Sequence, residues 1–164
     1  MGADHAKTNA MRMLDAAGIP YGTLAYVVDE EDLSGASVAK KVGLSADEVF
    51  KTLVLRSHAG EVVVACLPVS AELDLKALAA AAGCKSVELA PLKELLPLTG
   101  YIRGGCSPIG MKKSYPVFLD ETALLYDHIA VSAGVRGLQV RLSPEDLARF
   151  VGARFCEIGR TGSR

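Results

Sequence analysis

Six consecutive apolar residues, Val62-Val63-Val64-Ala65-Cys66-Leu67, leave no polar face for solvent. A strand of this kind has to be covered on both sides, so it belongs inside a sheet rather than at its edge. Phe50 to Arg56 is a second strand-like run, and His58-Ala59-Gly60 between the two predicts a hairpin. The chain must therefore supply other strands and helices to cover this pair.

Helix signals are frequent. Ala10, Leu14 and Ala17 recur at helical spacing from Ala6 to Ala17, and Gly18-Ile19-Pro20 stops that run. Ser34 caps a short helix closed by Gly43, and Asp74 caps another carrying Leu75, Leu78, Ala79 and Ala82, closed by Gly83. Ser45-Ala46-Asp47-Glu48 matches a capping box, and Pro91 to Leu96 reads as a short helix. Ser143-Pro144-Glu145-Asp146 starts a last helix that Gly152 ends, with Leu142 and Leu147 placed as a hydrophobic staple. Further strands are expected at Tyr21 to Val28, Ser86 to Leu89, Val117 to Leu119, Ile129 to Ser132, Leu138 to Leu142 and Arg154 to Ile158. Residues Gly159 to Arg164 read as a frayed tail. Strands and helices mix irregularly, with hairpins and without linkers or repeats, so the chain reads as a single α+β domain over 1–164.

At 164 residues a core of this size needs no disulfide or metal staples. The four cysteines, Cys66, Cys84, Cys106 and Cys156, form no CxxC pair, and no N-terminal apolar segment or membrane-length run is present. A soluble, cytoplasmic protein is expected. A net charge of −1 and the lack of tryptophan argue against a broad nucleic-acid surface with aromatic platforms. Two local asymmetries stand out. Tyr101 to Tyr115 carries Arg103, Lys112 and Lys113 with no acid, and Asp29 to Asp32 is a purely acidic run that reads as a solvated loop.

The chemically suggestive segment is Gly104-Gly105-Cys106-Ser107-Pro108-Ile109-Gly110-Met111-Lys112-Lys113. Clustered glycines let the backbone turn sharply and let a ligand approach its amides. Gly105 and Gly110 have P-loop spacing, but Met111 and Lys112 stand where Lys and Ser or Thr are needed. Ile109 likewise breaks a G-x-S-x-G nucleophile elbow. The segment is either a cradle of another kind for anions or carbonyls, or a tight turn. His5, His58 and His128 have no metal-ligand or triad-like neighbours, which leaves zinc hydrolase and Ser-His-Asp chemistry unsupported. Lys51 shares a strand face with Leu53 and Leu55, so its cation must reach water, pair with an anion or serve a ligand. Ser132 precedes a glycine-rich turn and could serve that turn or a pocket. Cys106 has no accompanying histidine and reads as a small buried hydrophobe.

Four segments occur together in order: Val49-Phe50-Lys51-Thr52-Leu53, Leu73-Asp74-Leu75-Lys76, Thr99-Gly100-Tyr101 through Lys113, and Val131-Ser132-Ala133-Gly134-Val135-Arg136-Gly137-Leu138. This combination resembles the YbaK-type members of the prolyl-tRNA-synthetase-associated editing-domain superfamily, bacterial Cys-tRNA(Pro) deacylases, over about Ala10 to Ile158. The resemblance implies a mixed, barrel-like sheet with surrounding helices, and hydrolysis of an aminoacyl ester at the tRNA 3′ end. It implies catalytic roles for Lys51 and Ser132, and substrate-binding roles for Tyr26, Thr52, Tyr101, Gly104, Gly105, Ser107 and Gly134. It also implies a reaction in which the substrate's own thiol attacks its ester carbonyl, with prolyl-tRNA synthetase as a partner and no cofactor, metal or membrane. Three positions depart from the family pattern. Gln139 stands where many relatives carry an acid, Ala133 where glycine is common, and Cys106 where an aliphatic residue is usual. The readings left in competition are a non-catalytic aminoacyl- or nucleotide-binding module docked on a synthetase, and a deacylase for another amino acid such as alanine.

Overall fold

The structure, a computed structural model, describes residues 6–161. The hairpin forms as the sequence predicts: β2 (Phe50–Ser57) and β3 (Val62–Pro68) pair antiparallel, with Thr52 opposite Cys66 and Arg56 opposite Val62. The apolar strand β3 lies at the centre of a five-stranded sheet of order β5-β2-β3-β6-β9. Here β5 is Val87–Leu89, β6 is Val117–Asp120 and β9 is Arg154–Cys156. The hairpin edge is antiparallel, whereas β3–β6 and β6–β9 are parallel, so the sheet is mixed.

Both faces of β3 are covered, as its sequence demands. Val63 and Ala65 pack with Leu55, Phe118, Ile158 and the Leu78–Ala79 face of helix α3 (Leu75–Ala82). Val64 and Cys66 face a larger cluster fed by Leu14 of α1 (Asn9–Ala17) and Leu147 of α5 (Pro144–Val151). That cluster also takes Val131, Val140 and Leu142 from a second, antiparallel sheet of order β1-β8-β7 (β1 Gly22–Ala25, β7 Ile129–Ser132, β8 Leu138–Leu142). A parallel bridge between Val49 and Ala130 joins the two sheets, with the Ala130 amide donating to the Glu48 carbonyl at 3.0 Å. The fold is thus α+β, with the two sheets sharing the larger of these clusters.

The helix caps follow the sequence closely. Thr8, Ser34, Asp74 and Ser143 each accept an amide from the first turn of α1, α2 (Gly35–Val42), α3 and α5, and Gly18, Gly43, Gly83 and Gly152 close them. Three expectations change. At Ser45–Glu48 the Glu48 carboxylate accepts the Ser45 amide and Ser45 Oγ accepts the Asp47 amide, yet only a turn results, because the next residue, Val49, is already bridged into the sheet. The short helix expected from Pro91 becomes a 3₁₀ turn (Leu92–Glu94) running into α4 (Leu95–Thr99).

The expected tail is not frayed through Gly159–Thr161. These residues form β10, paired with β4 (Ala71–Leu73). The buried Asp120 carboxylate anchors this end by accepting the amides of Ile158 (3.0 Å) and Gly159 (2.8 Å). Residues 162–164 and His5 lie outside the described residues. No helix among the described residues is long and apolar enough to cross a membrane.

Candidate active site

The two ends of the fold that the Val49–Ala130 bridge brings together also frame a cleft of about 430 Å³. Lys51 and Thr52 reach it from the start of β2, Ser132 from the end of β7, Gln139 from β8, and Gly104 and Cys106 from the glycine loop. Ser132 and Gln139 are cross-strand partners, so the β7–β8 register alone sets them side by side. Apolar side chains complete the lining: Leu33 and Val38 around α2, and the exposed Leu89 at the end of β5 and Leu92 just after it.

Lys51 is half-buried, and its Nζ donates to the Ala71 carbonyl of β4 at 2.7 Å. Burial holds its pKa below the usual lysine value, while the nearby Glu72 charge pulls the other way. One ammonium hydrogen is engaged with Ala71, and an ammonium has three. Thr52 Oγ1 lies 3.6 Å from Cys66 Sγ on the neighbouring strand. Ser132 Oγ accepts the Gly134 amide at 3.1 Å, so it serves the turn that follows it and also lines the cleft. Its own O–H remains a donor.

The two thiols are poor nucleophiles. Burial pushes both Cys66 and Cys106 up to about 12. Near neutral pH both are held as neutral thiols. Among the described residues, no histidine and no carboxylate lines the cleft. His58 and His128 are exposed, and among the described residues no group of three His, Cys, Asp or Glu side chains could hold a metal ion.

The other predicted site residues lie elsewhere. Tyr26, Tyr101 and Gly134 line a second cavity of about 570 Å³, between α1 and the turn after β7. Tyr101 Oη donates to the Ile109 carbonyl, bracing the glycine loop from that side. Gly105 and Ser107 are buried and line neither cavity. The Gly105 amide closes a turn on the Ile102 carbonyl at 2.9 Å, and Ser107 Oγ accepts the Ile109 amide at 3.1 Å. A Cβ on Gly105 would sit 3.1 Å from the Arg136 amide nitrogen, so glycine here allows two backbones to pack together. Arg136 Nε adds a bond to the Arg103 carbonyl at 2.8 Å, tying the loop to the 134–137 turn. Of the basic residues near the loop, Arg103 lines the cleft, and Lys112 and Lys113 are exposed. The acidic run is solvated: Asp29 and Asp32 accept amides from Glu31 and Ser34.

The aliphatic wall was not anticipated as part of the site. Its only sequence signal is the apolar run Leu89-Ala90-Pro91-Leu92, whose Leu89 ends a strand and whose Leu92 follows it, both exposed. Gln139 was noted only as a departure from pattern.

A largely apolar cleft with a cation, hydroxyls and one neutral thiol suits a small ligand that carries its own reactive group. The comparisons agree on the class. Residues 30–150 match the model of the aminoacyl-tRNA editing domain, and the chain belongs to that family. It is 49% identical over 152 residues to a protein of Enterococcus faecalis provisionally named Cys-tRNA(Pro)/Cys-tRNA(Cys) deacylase EbsC, a match covering 93% of each chain. A proline–tRNA ligase of Pelobacter propionicus is 35% identical over 85 residues, which is 52% of this chain and 15% of that ligase. The fold matches a crystal structure provisionally described as a trans-editing enzyme for prolyl tRNA synthetase. The TM-score is 0.78 at 22% identity, covering 94% of this chain and 99% of that one.

Proposed function

We propose that this chain is a trans-acting aminoacyl-tRNA deacylase that removes cysteine mischarged onto tRNA(Pro). The observation that carries the reading is that the cleft shows no activated protein nucleophile: its thiol is held neutral, and among the described residues no histidine or carboxylate lines it. A substrate that brings its own thiol needs neither. The long match to a Cys-tRNA deacylase supports the same substrate class.

In this mechanism the cysteinyl sulfur attacks its own ester carbonyl. A carbon–sulfur bond forms, the ester carbon–oxygen bond breaks, and the tRNA 3′ oxygen leaves with a proton, releasing a cyclic thioester. Lys51 and Ser132 stabilise the developing negative charge and orient the carbonyl. The exposed Arg103, Lys112 and Lys113 meet the phosphates of the tRNA end. The stretch shared with a proline–tRNA ligase supports prolyl-tRNA synthetase as the working partner, and with it a cytoplasmic location.

The test is deacylation of tRNA(Pro) charged in turn with cysteine, S-methylcysteine, alanine and proline by the purified protein. Rapid loss of cysteine alone is expected, because a thiol with a pKa of about 8.5 supplies an anion that its methyl ether cannot. Brisk cleavage of the S-methylated substrate would replace the thiol route with an activated water. Failure to cleave any of the four would favour the non-catalytic module.

A further inference from the structure

Gln139 is 5% exposed and lines the cleft, and its Oε1 is buried without a hydrogen-bond partner. An unpaired buried carbonyl is unfavourable, so a protein that keeps one in a ligand cleft gains from it only when a ligand arrives. Its strand neighbours do not satisfy it. The Leu24 side chain across β1 has no donor, and the Ser132 hydroxyl across β7, which accepts the Gly134 amide, makes no bond to Gln139.

The rest of the cleft offers mainly donors, from Lys51, Arg103 and the hydroxyls of Thr52 and Ser132, and no lining residue is acidic. Among the described lining residues Gln139 alone carries a side-chain carbonyl, an acceptor suited to a ligand N–H. Only the aminoacyl end of a charged tRNA is small enough to reach the floor of a cleft of about 430 Å³. On that end the strong donor nearest the scissile carbonyl is the α-amino group.

We propose that Gln139 is a positioning residue that accepts an N–H from the substrate α-amino group, fixing the carbonyl for attack. This rests on the deacylase reading above. It adds a specificity element: a neutral acceptor holds the amine without an ion pair.

The test uses three non-hydrolysable probes in calorimetry: 3′-cysteinylamido-3′-deoxyadenosine, its 3-mercaptopropionyl analogue lacking the amine, and the 2′-deoxy form of the first. With the wild-type protein, removing the amine should weaken binding about tenfold, the worth of one buried hydrogen bond. In Gln139→Met the two compounds should bind within twofold of each other, and Gln139→Glu should restore the preference for the amine. Gln139→Met should also keep or raise the thermal midpoint, since it removes an unpaired buried carbonyl.

An equal amine effect in wild type and Gln139→Met overturns the proposal. So does a preference in wild type for the 2′-hydroxyl alone, which assigns the acceptor to ribose. A fall in thermal midpoint with uniform loss of affinity marks a structural role and also overturns it. Absence of binding by all three probes overturns it too, and cleavage of Cys-tRNA(Pro) by the same sample decides separately whether the deacylase reading stands.

Discussion

Replacing Lys51 by methionine keeps most of the side chain's length and removes only its cation. Two effects on stability oppose each other. The variant loses the 2.7 Å bond from Nζ to the Ala71 carbonyl, and it gains by no longer burying half of an ammonium-bearing side chain. The net change should lie within about 1 kcal/mol. Catalysis should respond far more. A unit charge about 4 Å from a developing oxyanion is worth roughly 4 kcal/mol at an effective dielectric of about 20. Partial solvent exposure reduces this to about 2–3 kcal/mol, or roughly 30- to 150-fold in kcat/KM.

The assay is steady-state deacylation of Cys-tRNA(Pro), with circular dichroism for the fold. There is also a pH signature. Because burial lowers the folded-state pKa of Lys51, the unfolded chain binds more protons between that lowered value and 10.5. Wild type should therefore gain stability relative to Lys51→Met as pH rises through that window. A folded variant that keeps kcat/KM within threefold of wild type would remove Lys51 from the reaction.

Gly105→Val should cost about 1–3 kcal/mol in urea denaturation, because its side chain meets the Val135–Arg136 backbone; an unchanged midpoint would refute that packing. Asp120→Ala should cost about 2–4 kcal/mol and raise hydrogen exchange at residues 158–161, since the Ile158 and Gly159 amides lose their acceptor. Unaltered exchange there would show that β10 is held by its pairing with β4 alone. Cys106→Ala should keep kcat/KM within about threefold, as a thiol pushed up to about 12 is no nucleophile near neutral pH. A hundredfold loss in that variant would restore Cys106 as a participant.

Much of the fold was legible because its signals are local. An all-apolar β3 can only be central, and each capping residue meets an amide three positions along, whatever the rest of the chain does. The failures came where a distant contact overrode a local preference. Ser45–Glu48 carries the hydrogen bonds of a helix start, but the Val49–Ala130 bridge commits the next residue to a sheet. Gly159–Thr161 has no strand signal of its own, and becomes β10 through the Asp120 carboxylate, which lies almost forty residues earlier in the chain.

The site divides along the same line. A lysine on an apolar strand face is an anomaly visible from a period of two, and Lys51 does line the cleft. The glycine loop was legible as a tight backbone, but not which amides it would leave facing the cleft. Only Gly104 and Cys106 of that stretch line it, while Gly105 packs against the 134–137 turn and Ser107 bonds within the loop. Gln139 was beyond sequence reasoning for a different reason. In one dimension it is an ordinary polar residue on the half-buried strand Leu138–Leu142, and nothing local says whether its carboxamide will find a partner. Neither its neighbours across both strands nor the donors lining the cleft make a bond to it. An unmet acceptor is a property of everything surrounding a residue. It therefore emerges only once the two sheets have closed around the same core, and the most distinctive chemical feature of this cleft is the one no motif could announce.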